Sequence, residues 1–388
     1  MGRLRARRRS AAILALGLLV VAGGCSGTDG DPATGTEAMT SRPVDDAEAA
    51  GDAEPDRLTL ADQADAEAEE DDGPAVVGPI GPFTGLPIDA ELVDRPALIV
   101  KVDNHPRARP QTGLELADIV FDYRAEGVTR FAAVFHSETP EPVGPVRSSR
   151  TSDFDILRGF DNPLYASSGA NDYVAAGLRS LPIVELTNRT RNEYFRDFSR
   201  PAPHNLYVNA ADLYALAPDG LPAVRPWFRY RSSGDDLPDS ATPAIGPVTI
   251  AYTGSPRVTH QWDEAVGGWQ RTQDGAPHLT VAGDQLAPEN VVILVTDYGI
   301  SPADPISPEV RSVGGGPLVV LTGGHIITGR WDRPTPEDKP TLTDVDGVEI
   351  RLTPGRTWVL MPEEGQVSFA PGQEIDDGSD RAATDDGS

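Results

Sequence analysis

One cysteine, Cys25, stands in a chain of 388 residues, and lysine occurs only at Lys101 and Lys339. Without a second cysteine an intramolecular disulfide is excluded, so a sizeable apolar core has to hold the folded part together. No self-similarity at a period of about 20 to 50 residues is present, which argues against a solenoid or propeller. The histidines, His105, His136, His204, His260, His278 and His325, are scattered. None forms a His-Glu-x-x-His pair and no cysteine pair exists, so no metal site is expected. Asp71-Asp72-Gly73 lacks calcium-loop spacing. Gly314-Gly315-Gly316 has no Lys-Ser/Thr after it and is not a phosphate loop. A strained Gly-x-Ser-x-Gly elbow is also missing. The formal net charge of −27 excludes a generally basic surface, so nucleic acid is not an expected partner. Nothing implies a cofactor.

What is there begins at the N-terminus. Arg3, Arg5, Arg7, Arg8 and Arg9 precede the apolar run from Ala11 to Ala22, and Gly23-Gly24 lead directly into Cys25. The run suffices for export but falls short of the roughly 20 residues that span a bilayer. A small-residue pair before a lone cysteine is the lipobox arrangement, in which the thiol is lipidated and the leader removed. Ala22 stands where a lipobox usually has leucine. Residues 1–25 therefore read as a lipoprotein signal peptide, with membrane lipid as the partner of Cys25. Arg8-Arg9 also invite a twin-arginine export reading, so the export route stays open.

Residues 26–78 are rich in Asp, Glu, Ala, Gly and Pro, carry −14, and show no apolar periodicity. Low hydrophobicity with high charge cannot offset the entropy of ordering, so a disordered acidic tether is expected. A flexible chain of that length spans about 40 Å. A second disordered acidic tail is expected over 366–388, its charge of −5 lying from Glu374 onward. The leader contributes +5, so the folded body itself carries −13.

That body reads as two units joined by a Pro-rich connection at 217–247. In the first, 79–216, Ala97-Leu98-Ile99-Val100-Lys101-Val102, Ile119-Val120-Phe121-Asp122-Tyr123 and Phe131-Ala132-Ala133-Val134-Phe135 have strand character. Phe154, Ile156, Leu157 and Phe160 have helical spacing, and 173–178 and 210–216 read as short helices. The second unit, 248–365, is a series of short strands. It includes a hairpin around Val266-Gly267-Gly268 and the strongly apolar Val291-Val292-Ile293-Leu294-Val295. The fold class expected is α+β, a mixed N-terminal α/β-type domain followed by a smaller β-rich C-terminal domain.

Several polar motifs punctuate the first unit. They are Asp103-Asn104-His105-Pro106-Arg107-Ala108-Arg109-Pro110-Gln111, Glu126-Gly127-Val128-Thr129-Arg130-Phe131, Gly144-Pro145-Val146-Arg147-Ser148-Ser149-Arg150 and Arg200-Pro201-Ala202-Pro203-His204-Asn205-Leu206-Tyr207. With Gly323-Gly324-His325-Ile326-Ile327-Thr328-Gly329-Arg330-Trp331 and Leu352-Thr353-Pro354-Gly355-Arg356-Thr357-Trp358 in the second unit, they are similar to the YerB-like bacterial lipoproteins. The resemblance covers roughly 79–362. It implies a two-domain lipoprotein of unknown function and supplies no reaction.

From the residues themselves, Asp103, Asn104, His105, Arg130, Arg147, Arg150, His204 and Asn205 are the candidate ligand-binding set. Asp103 to His105 follow a strand directly, a common place for a site. Arginines spaced like Arg147 and Arg150 suit a bidentate clamp on phosphate or carboxylate. The functional reading is a binding or scaffolding module of the cell envelope, taking an anionic or glycan component. Against it stands a purely internal role, with arginines paired to Asp103, Asp118 or Glu126 and the amides satisfying buried backbone. The rival function is an envelope hydrolase or transferase using the same Asp/His/Arg cluster, with Ser148 or Ser149 as a nucleophile on paper. A module that recognises another exported protein through its C-terminal sheet is a third possibility.

Overall fold

A computed structural model describes residues 78–188, 193–232 and 234–376. Cys25, the leader and the acidic tether lie outside the described residues. So does the part of the acidic tail after residue 376.

Apolar runs make the central strands, and alternating or short segments make the rest. In the first half these are β1 (Leu98–Asp103), β2 (Ile119–Arg124), β3 (Thr129–Phe135), β4 (Leu164–Ser167), β5 (Val184–Thr187), β6 (Tyr194–Arg196) and β7 (Leu206–Val208). Three short helices accompany them, α1 (Asp153–Arg158), α2 (Asp172–Leu178) and α3 (Ala210–Tyr214). Later come β8 (Thr242–Pro243), β9 (Val248–Ala251), β10 (Arg257–Asp263), β11 (Gly268–Gln273), β12 (Ala276–Pro277) and β13 (Asn290–Leu294). The last are β14 (Tyr298–Ile300), β15 (Pro308–Val310), β16 (Gly314–Thr322), β17 (His325–Arg333), β18 (Thr341–Asp344), β19 (Thr357–Leu360) and β20 (Val367–Ser368).

An eleven-stranded sheet runs in the order β18-β17-β16-β13-β19-β2-β3-β1-β4-β5, with β8 added against β17. Its middle joins the two halves of the sequence, because β19 lies parallel to β2 with Thr357 opposite Ile119 and Leu360 opposite Asp122. A second sheet of five strands, β12-β11-β10-β9-β20, belongs to the later half. All described residues fall in one compact unit, Asp72–Ser388.

Alternation along β1 explains the layering. Leu98, Val100 and Val102 join one core with Phe131, Trp358, Val248, Ile250 and Trp269, so the five-stranded sheet covers that face. Ile99 joins the other core with Ile156 and Leu157 of α1, Val174 and Leu178 of α2, and Trp227. Every residue of β1 is buried, as a strand covered on both faces must be.

The α+β expectation holds only coarsely, since the described residues are 35% strand and 10% helix. The helices span five to seven residues, too little to form a layer alone, and Gly159 follows α1 at once. The passage 217–247 does more than connect. Trp227 and Phe228 are buried in the core, and the Trp227 ring stacks on Phe160 with centroids 4.2 Å apart. The segment 366–376, expected within a disordered tail, is held instead. Val367 and Ser368 pair with Ile250 and Thr249, and Gln373 bonds Ile245 N and Pro243 O. These residues precede the acidic cluster and carry enough apolar and hydrogen-bonding groups to pack.

Candidate functional site

Strands β19, β2, β1, β4 and β5 all run the same way, and β3 runs against them. Their carboxyl ends therefore bring Arg124, Asp103, Ser167 and Thr187 to one edge of the sheet, together with Thr129 and Arg130 at the start of β3. In sheets with parallel strands, ligands favour the carboxyl edge. The segment carrying Arg147 is laid onto this edge. Asp103 N donates to Pro145 O, Arg147 N to Lys101 O, and Ser168 N to Arg147 O, at 2.9, 2.8 and 3.0 Å.

Asp103 is the buried centre, 1% exposed. Its Oδ2 lies 2.6 Å from His204 Nδ1 and 3.3 Å from Arg147 Nε, while Oδ1 accepts from His105 N at 3.0 Å. The imidazoles of His105 and His204 stack with centroids 4.2 Å apart and planes 14° from parallel. Burial, and then the neighbouring His204, push the His105 ring below its ordinary pKa. Arg147 is served least of the arginines here. Its Nε makes no well-directed hydrogen bond, its contact to Asp103 is an ion pair of 3.3 Å, and no described residue bonds its two terminal nitrogens.

Arg130 and Arg150 are treated otherwise. Arg130 Nη2 donates to Glu126 Oε2 at 3.0 Å and Nη1 to Ser148 O at 3.2 Å. Arg150 holds Glu126 in a two-pronged grip, Nε to Oε1 and Nη2 to Oε2, and also donates to Ser149 O at 2.8 Å. Burial alone would raise the Glu126 carboxyl, but the Arg150 hydrogen bonds, Arg130 and the Ser307 hydroxyl pull it down to about 2. The structure thus divides the expected arginine clamp, leaving the terminal nitrogens of Arg147 without a bond among the described residues and tying the other two to the single carboxylate of Glu126.

The amides serve internal roles. Asn104 Nδ2 donates to Thr129 Oγ1 at 2.7 Å and its Oδ1 accepts from Arg109. Asn205 receives Arg196 Nη1 at 2.7 Å and donates to Asp197 O and Arg200 O. Arg200 in turn bonds Ala108 O and Pro110 O, both at 2.9 Å. These bonds brace the loop that delivers His204. Asp118 is held by Ser137 and not by an arginine.

The triad on paper is half assembled. Asp103 and His204 pair, but Ser149 Oγ lies 3.0 Å from Tyr165 OH and Ser148 Oγ lies 3.1 Å from Ser168 Oγ. Among the described residues no serine hydroxyl bonds either histidine. A cavity of about 570 Å³ is lined by Arg124, Glu126 and Ser307, beside the Glu126 cluster and not at Arg147. Another of about 940 Å³ is bounded by Ile80, Leu86, Phe228, Tyr230 and Arg351.

Sequence reasoning missed two buried networks. Beneath the Arg147 segment, Lys101 Nζ meets Asp153 Oδ1 at 2.7 Å, and Tyr123 and Tyr165 donate to the same carboxylate. Burial lowers Lys101 to about 8 against the pull of Asp153. A lone lysine inside an apolar run was the available signal. On the opposite face, Arg271 Nη2 reaches Asp122 Oδ2 at 2.8 Å, both side chains 0% exposed. Its signal was position, since Trp269, Arg271 and Gln273 alternate inward along β11.

The chain matches two family models. One is described as "Protein of unknown function (DUF3048) N-terminal domain" and matches residues 83–221; the other, its C-terminal domain, matches 248–359. A protein of Bacillus subtilis (strain 168) named "Putative lipoprotein YerB" is 29% identical over 311 residues, which is 76% of this chain and 89% of that protein. The crystal structure of YerB protein from Bacillus subtilis is similar with a TM-score of 0.65 at 26% identity, covering 75% of this chain and 99% of that one. With both family models matched in order, and a relative similar in sequence and in structure, the chain belongs to the YerB-like two-domain family of unknown function.

Proposed function

We propose that this protein is an extracytoplasmic lipoprotein, anchored through lipidated Cys25, that binds an anionic group of an envelope component, such as a phosphate- or carboxylate-bearing glycan. The ligand edge consists of Asp103, His105, Arg147 and His204, with Ser148 and Ser168 beside it. One observation carries the reading. Arg147 presents both terminal nitrogens without a partner among the described residues, on a segment pinned to the sheet, while neighbouring Arg130 and Arg150 both bond Glu126. A guanidinium held this way is ready for a two-pronged bond to a planar oxyanion. Asp103 orients it and His204 without quenching it.

The test is titration of the full-length protein, in detergent micelles, with soluble cell-wall fragments bearing phosphate or carboxylate. Hydrogen bonds to charged groups contribute about 1.5–3 kcal/mol, so Arg147→Ala is expected to weaken binding at least about tenfold. Wild-type protein that binds no such fragment refutes the reading. For the anchor, Cys25→Ser is expected to abolish incorporation of labelled fatty acid and to release the protein from membranes.

A second reading rests on the 2.6 Å bond between Asp103 and His204. A carboxylate that fixes an imidazole is the orienting half of a general base, as an envelope hydrolase or transferase requires. Turnover of a wall fragment, lost in both Asp103→Asn and His204→Ala, would favour it.

A further inference from the structure

The Asp122–Arg271 pair begins a chain of hydrogen bonds that ends at the candidate ligand edge. Arg271 lies on β11 in the later half of the sequence, with its guanidinium 4.6 Å from the Trp358 ring centroid. Besides Asp122 it bonds His278 Nδ1. His278 Nε2 lies 2.8 Å from Gln111 Oε1, and Gln111 Nε2 donates to the main-chain oxygen of Asp103 at 2.9 Å. All these side chains are buried.

The polarity of this chain follows from its first member. A guanidinium has donors only, so His278 Nδ1 must accept. Burial, and after it the nearby Arg271, hold His278 far below its ordinary pKa, so the ring is neutral. A neutral ring that accepts at Nδ1 carries its proton on Nε2 and donates it to Gln111 Oε1. The amide of Gln111 is then oriented with its NH2 group toward Asp103. The reverse order would set donor against donor at Arg271.

At its far end the chain meets a residue whose other main-chain group is already tied, because Asp103 N donates to Pro145 O. Together the two bonds fix the rotation of the last residue of β1, and so the direction of its carboxylate toward His204 and Arg147.

We infer that the later half of the protein positions the ligand edge. Arg271, through His278 and Gln111, holds the Asp103 main chain, and the Asp103–His204 bond keeps its geometry only while this donor chain is intact. Gln111 and His278 are positioning residues, and neither touches the ligand. The inference rests on reading that edge as the ligand site, but its test needs no ligand.

The test is the Nδ1–H proton of His204 in full-length protein with labelled histidine, followed by NMR through its exchange with water. A proton held between imidazole and a buried carboxylate resonates far downfield and exchanges slowly. Gln111→Glu keeps the shape of the side chain and, with the carboxylate ionised at pH 8, sets an acceptor oxygen where the donor to Asp103 stood. It is expected to speed exchange of that proton by about tenfold or more. His278→Ala is expected to do the same, while His278→Gln, whose amide still donates toward Gln111, is expected to restore the slow signal. Leu342→Ala, a core truncation in the other cluster, is the control for general loosening. It should lower the unfolding midpoint and leave the signal alone.

Unchanged exchange in folded Gln111→Glu overturns the inference. Equal loss in Leu342→Ala also overturns it, by showing that the signal follows global stability. If Gln111→Glu fails to fold, the contrast between His278→Ala and His278→Gln decides. An intact donor chain in a protein that binds no envelope fragment refutes the site and leaves the coupling standing.

Discussion

Two carboxylates at the same sheet edge are handled in opposite ways. Glu126 is surrounded by Arg130, Arg150 and Ser307, so each of its oxygens is spoken for and the arginines have no free end. Asp103 is buried more deeply, yet it shares one oxygen between His204 and Arg147, and Arg147 keeps its terminal nitrogens open. The difference shows that arginine density does not identify a site. What sets Arg147 apart is that neither of its terminal nitrogens is bonded among the described residues, whereas both of those of Arg130 and Arg150 are. In the closed class, the Glu126 cluster and the buried Asp122–Arg271 pair, the arginine ends are bonded to carboxylates, whereas at the open Asp103 edge the terminal nitrogens of Arg147 have no bond among the described residues, which is why the proposed binding site is placed there.

The largest expected effect tests the closed class at its most buried member. Arg271→Ala leaves Asp122 charged and alone in the core, where such losses cost about 3–5 kcal/mol. Denaturant unfolding of wild type and variant reads this directly. The paired replacement Arg271→Met with Asp122→Leu is expected to recover most of the loss, because the penalty lies in the orphaned charge.

A smaller effect is expected at Glu126. Glu126→Gln leaves two arginines without their counter-charge and should cost about 1–3 kcal/mol at pH 7. The carboxyl is partly exposed, which favours the lower end. Its folded pKa, about 2, lies below the ordinary 4.5. The stabilisation is therefore fully present above pH 4.5 and is lost as pH falls from 4.5 toward 2. Unfolding curves through that window should be flatter in the variant than in wild type. Equal slopes would remove Glu126 from the closed class.

The smallest effect on stability belongs to Arg147. Truncating a partly exposed arginine with a single loose ion pair should cost no more than about 1 kcal/mol. A loss as large as that of Glu126→Gln would erase the distinction on which the comparison stands.

Much of this architecture was legible in the sequence, and the rest was not for physical reasons. Apolar runs gave β1, β2, β3 and β13, and the spacing of Ile156 and Leu157 gave α1. The joining of the two halves was invisible, because the partners β2 and β19 lie far apart in the chain and parallel pairing leaves no turn signature. At the site, the strand ending at Asp103 and the arginine near it could be read, since polar residues after an apolar run mark a sheet edge. Which arginine stays open could not, because that depends on Glu126 folding back onto Arg130 and Arg150. Gln111 and Arg271 escaped notice for a related reason. Each looks ordinary in its own segment, and only tertiary packing sets one against the Asp103 main chain and the other against Asp122.

The most direct test of the open edge is the affinity of full-length Arg147→Ala for a phosphate- or carboxylate-bearing wall fragment, measured by calorimetry beside its unfolding midpoint. The account predicts binding by wild type, at least about tenfold weaker binding by the variant, and a nearly unchanged midpoint. Equal affinity in the two proteins, or weaker binding that merely tracks a collapse in stability, would contradict it.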